Sequence, residues 1–321
     1  MTGSKVGQNS PAVFGCTENK GQSPTTMIFS RRVFIGSLGA TASLPLFGSM
    51  TVWAQQQTSL LPVNTPKLDH LDVIVPNVEA SARFYMGVFN TTLHAQPFQG
   101  GFRYFILFGD LLDNRQVGYL AIGDSRGRGT YIGHFCTSVF NYRRDSMAIS
   151  AALAEAVDKA GLGKLSGGGG IGGIFSDPDG IEIQFLPAPD TLVTAAVPSD
   201  LVEPHKGLVT PKGVDHALLH VADLEKGARF YRILYGKEAT HEKSPERIWF
   251  QIGDTRLGLE QARPGQKPHI DHFGVKVAAF DRGAVTAGLT RLGAQIIPSP
   301  DETDVVRFRD LDGISLELKP V

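Results

Sequence analysis

At 321 residues the chain has room for two or three domains of ordinary size, and 42% hydrophobic with 20% charged residues is a globular mixture that can fill cores. Thirty-one Lys and Arg against 32 Asp and Glu leave a formal charge of -1, which excludes a strongly basic nucleic-acid binder and a polybasic membrane-surface protein. Two cysteines, Cys16 and Cys136, are too few for a disulfide scaffold or a cysteine-rich metal site.

Residues 1–26 are polar and without periodicity, and no structure is expected there. Next, Arg31 and Arg32 stand ahead of Val33-Phe34-Ile35 and a stretch of small apolar residues, and Val52-Trp53-Ala54 offers a small residue at a cleavage position. The segment resembles a twin-arginine export signal. That resemblance implies delivery of the folded protein to the periplasm or beyond, with the export machinery as a partner. Met27 offers a tidier start for such a signal than Met1. The apolar stretch is interrupted by glycine and short of the roughly 20 residues a spanning helix needs, and no cysteine follows it. Neither a stable membrane anchor nor a lipoprotein is expected. The leader is assigned to 1–54, and what remains contains Cys136 alone, hence no internal disulfide.

The rest is organised by an internal repeat. Residues 68–85 read LDHLDVIVPNVEASARFY and residues 214–231 read VDHALLHVADLEKGARFY, at an offset of 146. Arg103 to Asp110 returns as Arg247 to Asp254, Gly133-His134-Phe135 as Asp271-His272-Phe273, and FSDPDGIEIQFL (175–186) as FRDLDGISLELK (308–319). Matches in one order define two related domains, 67–188 and 212–321, joined by a Pro-containing polar linker. Within each, a strand (Leu71–Val75; Ala217–Val221) leads to a helix capped by Asn77 or Asp223. Val78, Ala82, Tyr85 and Phe89 share one helical face, as do Leu224, Ala228, Tyr231 and Tyr235. Strands follow at Thr91–Gln96, Phe102–Gly109 and Gln116–Ile122, then a strand with His134, a helix near Asp145–Ala160 and further strands to Phe185. The pattern is strand, helix, three strands, four times per chain.

The opening Asp-His strand, the Ala-Arg-Phe-Tyr helix and the closing Asp-x-Asp-Gly turn, over 68–187 and 214–319, together resemble the vicinal oxygen chelate superfamily, which includes glyoxalase I, the extradiol dioxygenases and the bleomycin-resistance proteins. The resemblance implies an α+β fold in which each tandem domain pairs two βαβββ modules into a cupped, mostly antiparallel sheet with a metal inside. It also implies a ligand set: a His from the first strand, a His from the strand opening the second module, and a carboxylate four residues after the glycine of the final turn. In the second domain these are His216, His272 and Glu317. Two neutral imidazoles and one carboxylate with open positions suit Fe(II), and Mn(II) or Zn(II) fits the same donors. One divalent metal, with Fe(II) favoured, is the expected cofactor. In the first domain the positions hold His70, His134 and Gln184, and an amide is the poorer ligand. Glu182 lies on the same strand face, roughly 6.6 Å away, and substitutes only if the strand shifts. The first site is expected to be weak or vacant.

His220, four residues after His216, and His241, beyond the following helix, are the candidate proton carriers; His94 is the first-domain counterpart of His241. Tyr85 and Tyr231 read as core residues, Arg103 and Arg247 as solvated strand-flanking charges, and the Gly167–Gly170 stretch as a loop rather than a phosphate cradle. The favoured function is an extradiol-like oxidoreductase for a small vicinal-oxygen substrate. The extradiol pattern also places a His and a Tyr upstream of the final ligand, and Asp304-Val305-Val306-Arg307-Phe308-Arg309 contains neither. A glyoxalase-like lyase or isomerase is the alternative and needs a further carboxylate, for which Glu260 stands. A metal-free ligand-binding protein of the resistance type is the third reading. A monomer and a homodimer are both compatible with domains that pair within or between chains.

Overall fold

Side-chain caps start the helices where the sequence places them. In the computed structural model, which describes residues 59–98, 100–109, 118–168, 170, 172–188, 206–298 and 304–321, the Asn77 carboxamide accepts from Ala80 N at 3.0 Å and the Asp223 carboxylate from Lys226 N at 2.8 Å. Each satisfies an amide that the first helical turn leaves without a partner. The export signal and its arginine pair lie outside the described residues. No helix among the described residues is long and apolar enough to cross a membrane.

Strand β1 (Lys67–Val75), helix α1 (Val78–Val88) and strands β2 (Leu93–Phe98), β3 (Gly101–Leu107) and β4 (Tyr119–Asp124) form the first module. Strand β5 (Tyr131–Phe140), helix α2 (Tyr142–Lys159) and strands β6 (Ser166–Gly167), β7 (Ile174–Ser176) and β8 (Glu182–Ala188) form the second. The second half repeats both: β9 (Thr210–Val221), α3 (Leu224–Tyr235), β10 (Thr240–Lys243), β11 (Glu246–Ile252), β12 (Thr255–Gln261), then β13 (His269–Ala278), α4 (Arg282–Arg291), β14 (Gln295–Ile297), β15 (Val306–Arg309) and β16 (Ser315–Pro320). Helix α2 starts three residues before the expected Asp145, after Asn141, which is left-handed and makes no side-chain cap. Nothing in that stretch advertises the boundary.

Each half is one eight-stranded sheet with the same order, β2-β3-β4-β1-β5-β8-β7-β6 and β10-β11-β12-β9-β13-β16-β15-β14. The opening strands of the two modules meet antiparallel in the middle, β1 with β5 and β9 with β13, and each is flanked by its module's last strand running parallel. The remaining pairs are antiparallel, so the expected α+β architecture of two tandem, mostly antiparallel sheets stands. One face of the central strands (Leu71, Val73 and Val75; Ala217, Leu219 and Val221) is fully buried, together with Ala82, Tyr85, Ala228 and Tyr231 of the helices. These side chains belong to a single apolar cluster to which both halves contribute. The opposite face carries the histidines.

The halves are also joined by a reciprocal pair of hydrogen bonds. Tyr85 Oη, on α1, donates to Asp310 Oδ2 at 2.6 Å, and Tyr231 Oη, on α3, donates to Asp177 Oδ2 at 2.9 Å. The second oxygen of each aspartate closes its own turn, accepting from Asp312 N and Ile314 N or from Asp179 N and Ile181 N at 2.8–2.9 Å. The turn glycines sit at φ +86° (Gly180) and +87° (Gly313), where a side chain is strained. Both tyrosines are fully buried, as core residues of the expected helix faces, and their hydroxyls have a definite task.

Burial lifts Asp177 from its ordinary 3.8 to about 6, against the pull of its three donors. Because the folded value is the higher one, this group supports folding fully below about pH 4 and progressively less as pH rises through 6. Tyr231→Phe takes one donor from the carboxylate. Its expected cost is about 1–3 kcal/mol in denaturant unfolding at pH 8, where Asp177 is ionised, and clearly less at pH 4.5, where it is protonated; an equal loss at both pH values contradicts this role.

Candidate metal centre

The register of the second sheet builds the site. Gly274 on β13 lies opposite His216 on β9 and opposite Glu317 on β16, so both long side chains flank a residue that has none. A Cβ at Gly274 would fall 2.5 Å from Cε1 and Nδ1 of His216, closer than atoms can approach. Glycine is therefore what lets the His216 ring lie where it does. His272, two residues earlier on the same strand face, supplies the second imidazole.

His272 Nε2 lies 3.2 Å from Glu317 Oε1 and His216 Nε2 lies 3.6 Å from Glu317 Oε2. The two rings stand 5.3 Å apart at 88°. The Nδ1–H of His216 donates to Asp215 Oδ2 at 2.8 Å and that of His272 to Asp271 Oδ2 at 2.7 Å. Each aspartate thereby fixes the tautomer that turns the Nε2 lone pair toward Glu317. Neighbours on a regular strand point to opposite faces. Register shifts at Ile270/His272 and Gly274/Val275 mark where this pairing departs from regularity.

Burial disfavours ionised Glu317, but the His272 hydrogen bond and the positive neighbours His216, His272 and Arg307 outweigh it and bring the carboxyl to about 2. Burial also disfavours charge on His272, yet its bonds to Asp271 and Glu317 raise it to about 8. His216, wholly enclosed, is pushed down by burial despite Asp215. Asp215 stays well below the usual carboxylate range although it is partly buried, held there by His216, Lys319 and Arg256. The site thus gathers one carboxylate and two imidazoles at one point, backed by two carboxylates, and a divalent ion binding there displaces the proton that His272 shares with Glu317. Three donor atoms within 4.8 Å of one another fit a divalent cation.

The first sheet departs from this in three places. Cys136 occupies the position of Gly274 (opposite His70 on β1 and Gln184 on β8). His70 instead stacks on Tyr119 at 4.2 Å and 15°. Gln184 Nε2 donates to Gly172 O at 3.1 Å, and Glu182 stays opposite His134 with no shift of strand. His70 Nε2 and His134 Nε2 lie 3.2 Å apart as a hydrogen-bonded pair, with Asp69 on His70 at 3.0 Å and Asp72 on His134 at 3.3 Å. Asp69 spends its other oxygen on Ser138 at 2.6 Å. These contacts engage His70, His134 and Gln184 with groups of the protein itself, and Asp69, His70 and Cys136 offer three ligand-type atoms within 4.8 Å of one another.

Other expected site residues divide. His220 lies on the histidine face of β9 and is buried. His241 is not brought to the site: it sits on the outermost strand β10, bound to Glu246 at 2.9 Å, three strand spacings or about 14 Å from β9. His94 is likewise on an outermost strand, β2. Arg103 and Arg247 are not merely solvated charges, since Arg103 contacts buried Asp72 and Arg247 Nε binds Glu260 at 2.7 Å. The sequence reading missed Trp249, edge-on to His216 at 5.7 Å, Arg256, 4.8 Å over the Trp249 ring, and Arg307, in contact with Glu317. They come from three different strands, so no local spacing announces them. A cavity of about 800 Å³ opens where the halves meet, lined by Asp72, Arg103, His134 and Glu182 on one side and His269 and Asp271 on the other.

Four βαβββ modules in two matched sheets, with two imidazoles and a carboxylate on the central strands of the second, define the class of protein. Residues 67–185 match the Glyoxalase/Bleomycin resistance protein/Dioxygenase superfamily, and the second half repeats the strand order of the first. Among solved structures it is similar to the 2,3-dioxygenase LapB from Pseudomonas sp. KL28, at 16% identity and TM-score 0.60 over 81% of this chain and 93% of that one. It is also similar to a catechol 2,3-dioxygenase (15%, 0.57, over 80% and 88%) and to the Mn(II)-bound glyoxalase from Novosphingobium aromaticivorans (14%, 0.56, over 80% and 83%). At such identities the likeness is one of fold. No curated protein matches the chain by sequence.

Gly274→Ala is expected to displace the His216 ring and weaken divalent-metal binding about 100-fold, the upper range for disturbing what orients a ligand. Calorimetric titration of the metal-free protein measures this, and unchanged affinity in a folded variant refutes the register argument.

Proposed function

We propose that the chain is an exported, metal-dependent oxidoreductase of the extradiol-dioxygenase type, acting on a small substrate with two neighbouring oxygens. His216, His272 and Glu317 would hold its Fe(II), with Mn(II) and Zn(II) as ions that fit the same donors. The observation that carries the reading is the convergence of both Nε2 atoms on the Glu317 carboxylate. When bound, Fe(II) supplies Lewis acidity toward substrate oxygens and the capacity to activate O2. The protein's own part is orientation and exclusion of water. Asp215 and Asp271 hold the imidazoles, Arg307 offsets the charge of Glu317, and Trp249 covers one side of His216. The buried Trp249 Nε1–H has no hydrogen-bond partner among the described residues.

The lyase alternative needs its extra carboxylate beside His216. In the β9–β12 register Arg256 holds that place, and Glu260 pairs with His220 four residues along. This favours the oxygenase reading. A metal-free binding protein leaves a buried His-His-Glu set without a task. We further assign the mature protein to the periplasm or exterior on the strength of Arg31-Arg32, with a small-molecule ligand and no nucleic-acid partner.

Oxygen uptake by anaerobically Fe(II)-loaded protein, across a panel of catechols and hydroxy-ketones, tests the reaction. Uptake matched to substrate consumption is expected from the wild type, and Glu317→Ala should lose both iron and uptake. Equal uptake by the variant, or none by iron-replete wild type on any member of the panel, defeats the proposal. For export, replacing Arg31 and Arg32 together by Lys should retain the protein in the cytoplasmic fraction.

A further inference from the structure

A second group of ligand-type side chains lies outside the His216 set. His220 on β9 and His269 on β13 face each other across the central strand pair, with rings 5.0 Å apart at 89°. Asp271 follows His269 by two residues on the same strand. Its Oδ2 is taken by His272 Nδ1. Its Oδ1 stands 3.6 Å from His220 Nδ1 and 3.6 Å from His269 Nε2, both too long for hydrogen bonds.

A proton held by His269 between Asp271 and the Lys267 carbonyl accounts for part of the arrangement but not for His220. His269 Nδ1 bonds the Lys267 carbonyl at 2.9 Å, so its Nε2 is the ring nitrogen turned toward Asp271, with the Gln266 amide 3.5 Å away. His220 is 7% exposed and its Nδ1 has no hydrogen-bond partner, while its Nε2 faces Glu260 Oε1 at 3.8 Å. Three ligand-type atoms, one on each side chain, converge within 4.8 Å of one another. Of the three, only His220 is enclosed, and its Nδ1 is a buried polar atom without a partner, a state that is unfavourable unless another group joins it.

We propose that His220 Nδ1, His269 Nε2 and Asp271 Oδ1 form a second divalent-cation site. Donors about 2.0–2.2 Å from a shared Zn(II) lie about 3.4 Å apart at tetrahedral angles, close to the 3.6 Å separations here. Two imidazoles with one carboxylate select Zn(II) or a neighbouring transition metal over Mg(II) or Ca(II). The cavity between the halves, which His269 and Asp271 line, provides entry and room for a fourth ligand. The corresponding first-half positions are Ile74, Tyr131 and Gly133, so the cluster does not descend from the repeat. It reassigns His220 from proton carrier to metal ligand. Asp271 links the two sites, since an ion on Oδ1 withdraws charge from the oxygen that holds His272; filling one site then weakens the other.

Calorimetric titration of the chelator-stripped full chain with Zn(II), with circular dichroism as a check on folding, tests the site. Two equivalents are expected for the wild type, one each for His269→Ala and Glu317→Ala, and none for the double variant. His269 is partly exposed, so its truncation leaves the core intact. One equivalent in the wild type that survives Glu317→Ala and is lost in His269→Ala sustains this site and removes the His216 set. One equivalent that survives His269→Ala and is lost in Glu317→Ala overturns this site and leaves the other standing. No binding, or two equivalents retained by His269→Ala, also overturns it.

Discussion

Two buried tyrosine-aspartate bonds set the geometry on which everything else rests. Each joins the first helix of one half to the last turn of the other, at 2.6 Å for Tyr85–Asp310 and 2.9 Å for Tyr231–Asp177. The last turn leads directly into the strand that carries Glu317, so the cross-domain bond fixes the start of β16 relative to β13. The strand register then places Glu317 beside Gly274, and Gly274 admits the His216 ring. A contact far from the ligands thus constrains the position of one of them. The aspartates are held by backbone amides on one oxygen and by a tyrosine of the other half on the second, which is why turn and interface are specified together.

Much of the arrangement is written locally. Asn77 and Asp223 announce their helices because a cap is a contact over three residues. The five-element module is visible because its apolar periodicity recurs four times. His216, His272 and Glu317 stand out because the repeat aligns them and the family resemblance assigns them. The partners of those residues were harder to read. Asp215 and Asp271 adjoin their histidines in sequence, yet a period of two sends neighbours to opposite faces, and only an irregular strand pairing brings them together. The tyrosine faces were legible, whereas the Tyr85 hydroxyl partner lies 225 residues away. His241 misled because sheet order is non-local. Strand β12 pairs with β9, which pushes β10 to the outer edge.

The two halves share a fold and differ in how their histidines are satisfied. In the first, His70 and His134 hydrogen-bond to each other, and their outer nitrogens face Asp69 and Asp72. A single proton between the inner nitrogens completes the cluster, and Gln184 is turned to a backbone carbonyl. In the second, two imidazoles and a carboxylate converge in each of two groups. Asp72 also shows how the support moved. In the first half the carboxylate behind the second histidine comes from the neighbouring strand β1, and in the second half it comes from Asp271 on β13 itself.

That relocation has a consequence for the second half. A carboxylate on β1 sits beneath His134 and is enclosed, at 4% exposure, with His134 and Arg103 meeting the same oxygen, Oδ2. Asp271 stands at the strand end, where one oxygen holds His272 and the other reaches the cavity between the halves. In the first half the Oδ1 of Asp72 is left buried without a hydrogen-bond partner, whereas moving the supporting acid outward freed an oxygen of Asp271 that faces the cavity and that no arginine meets among the described ion pairs. His220 and His269, where the first half has Ile74 and Tyr131, surround that freed oxygen. The same substitution pattern that equips the inner ligand set therefore leaves a second cluster of ligand-type side chains at its rim, joined to the first through a single carboxylate.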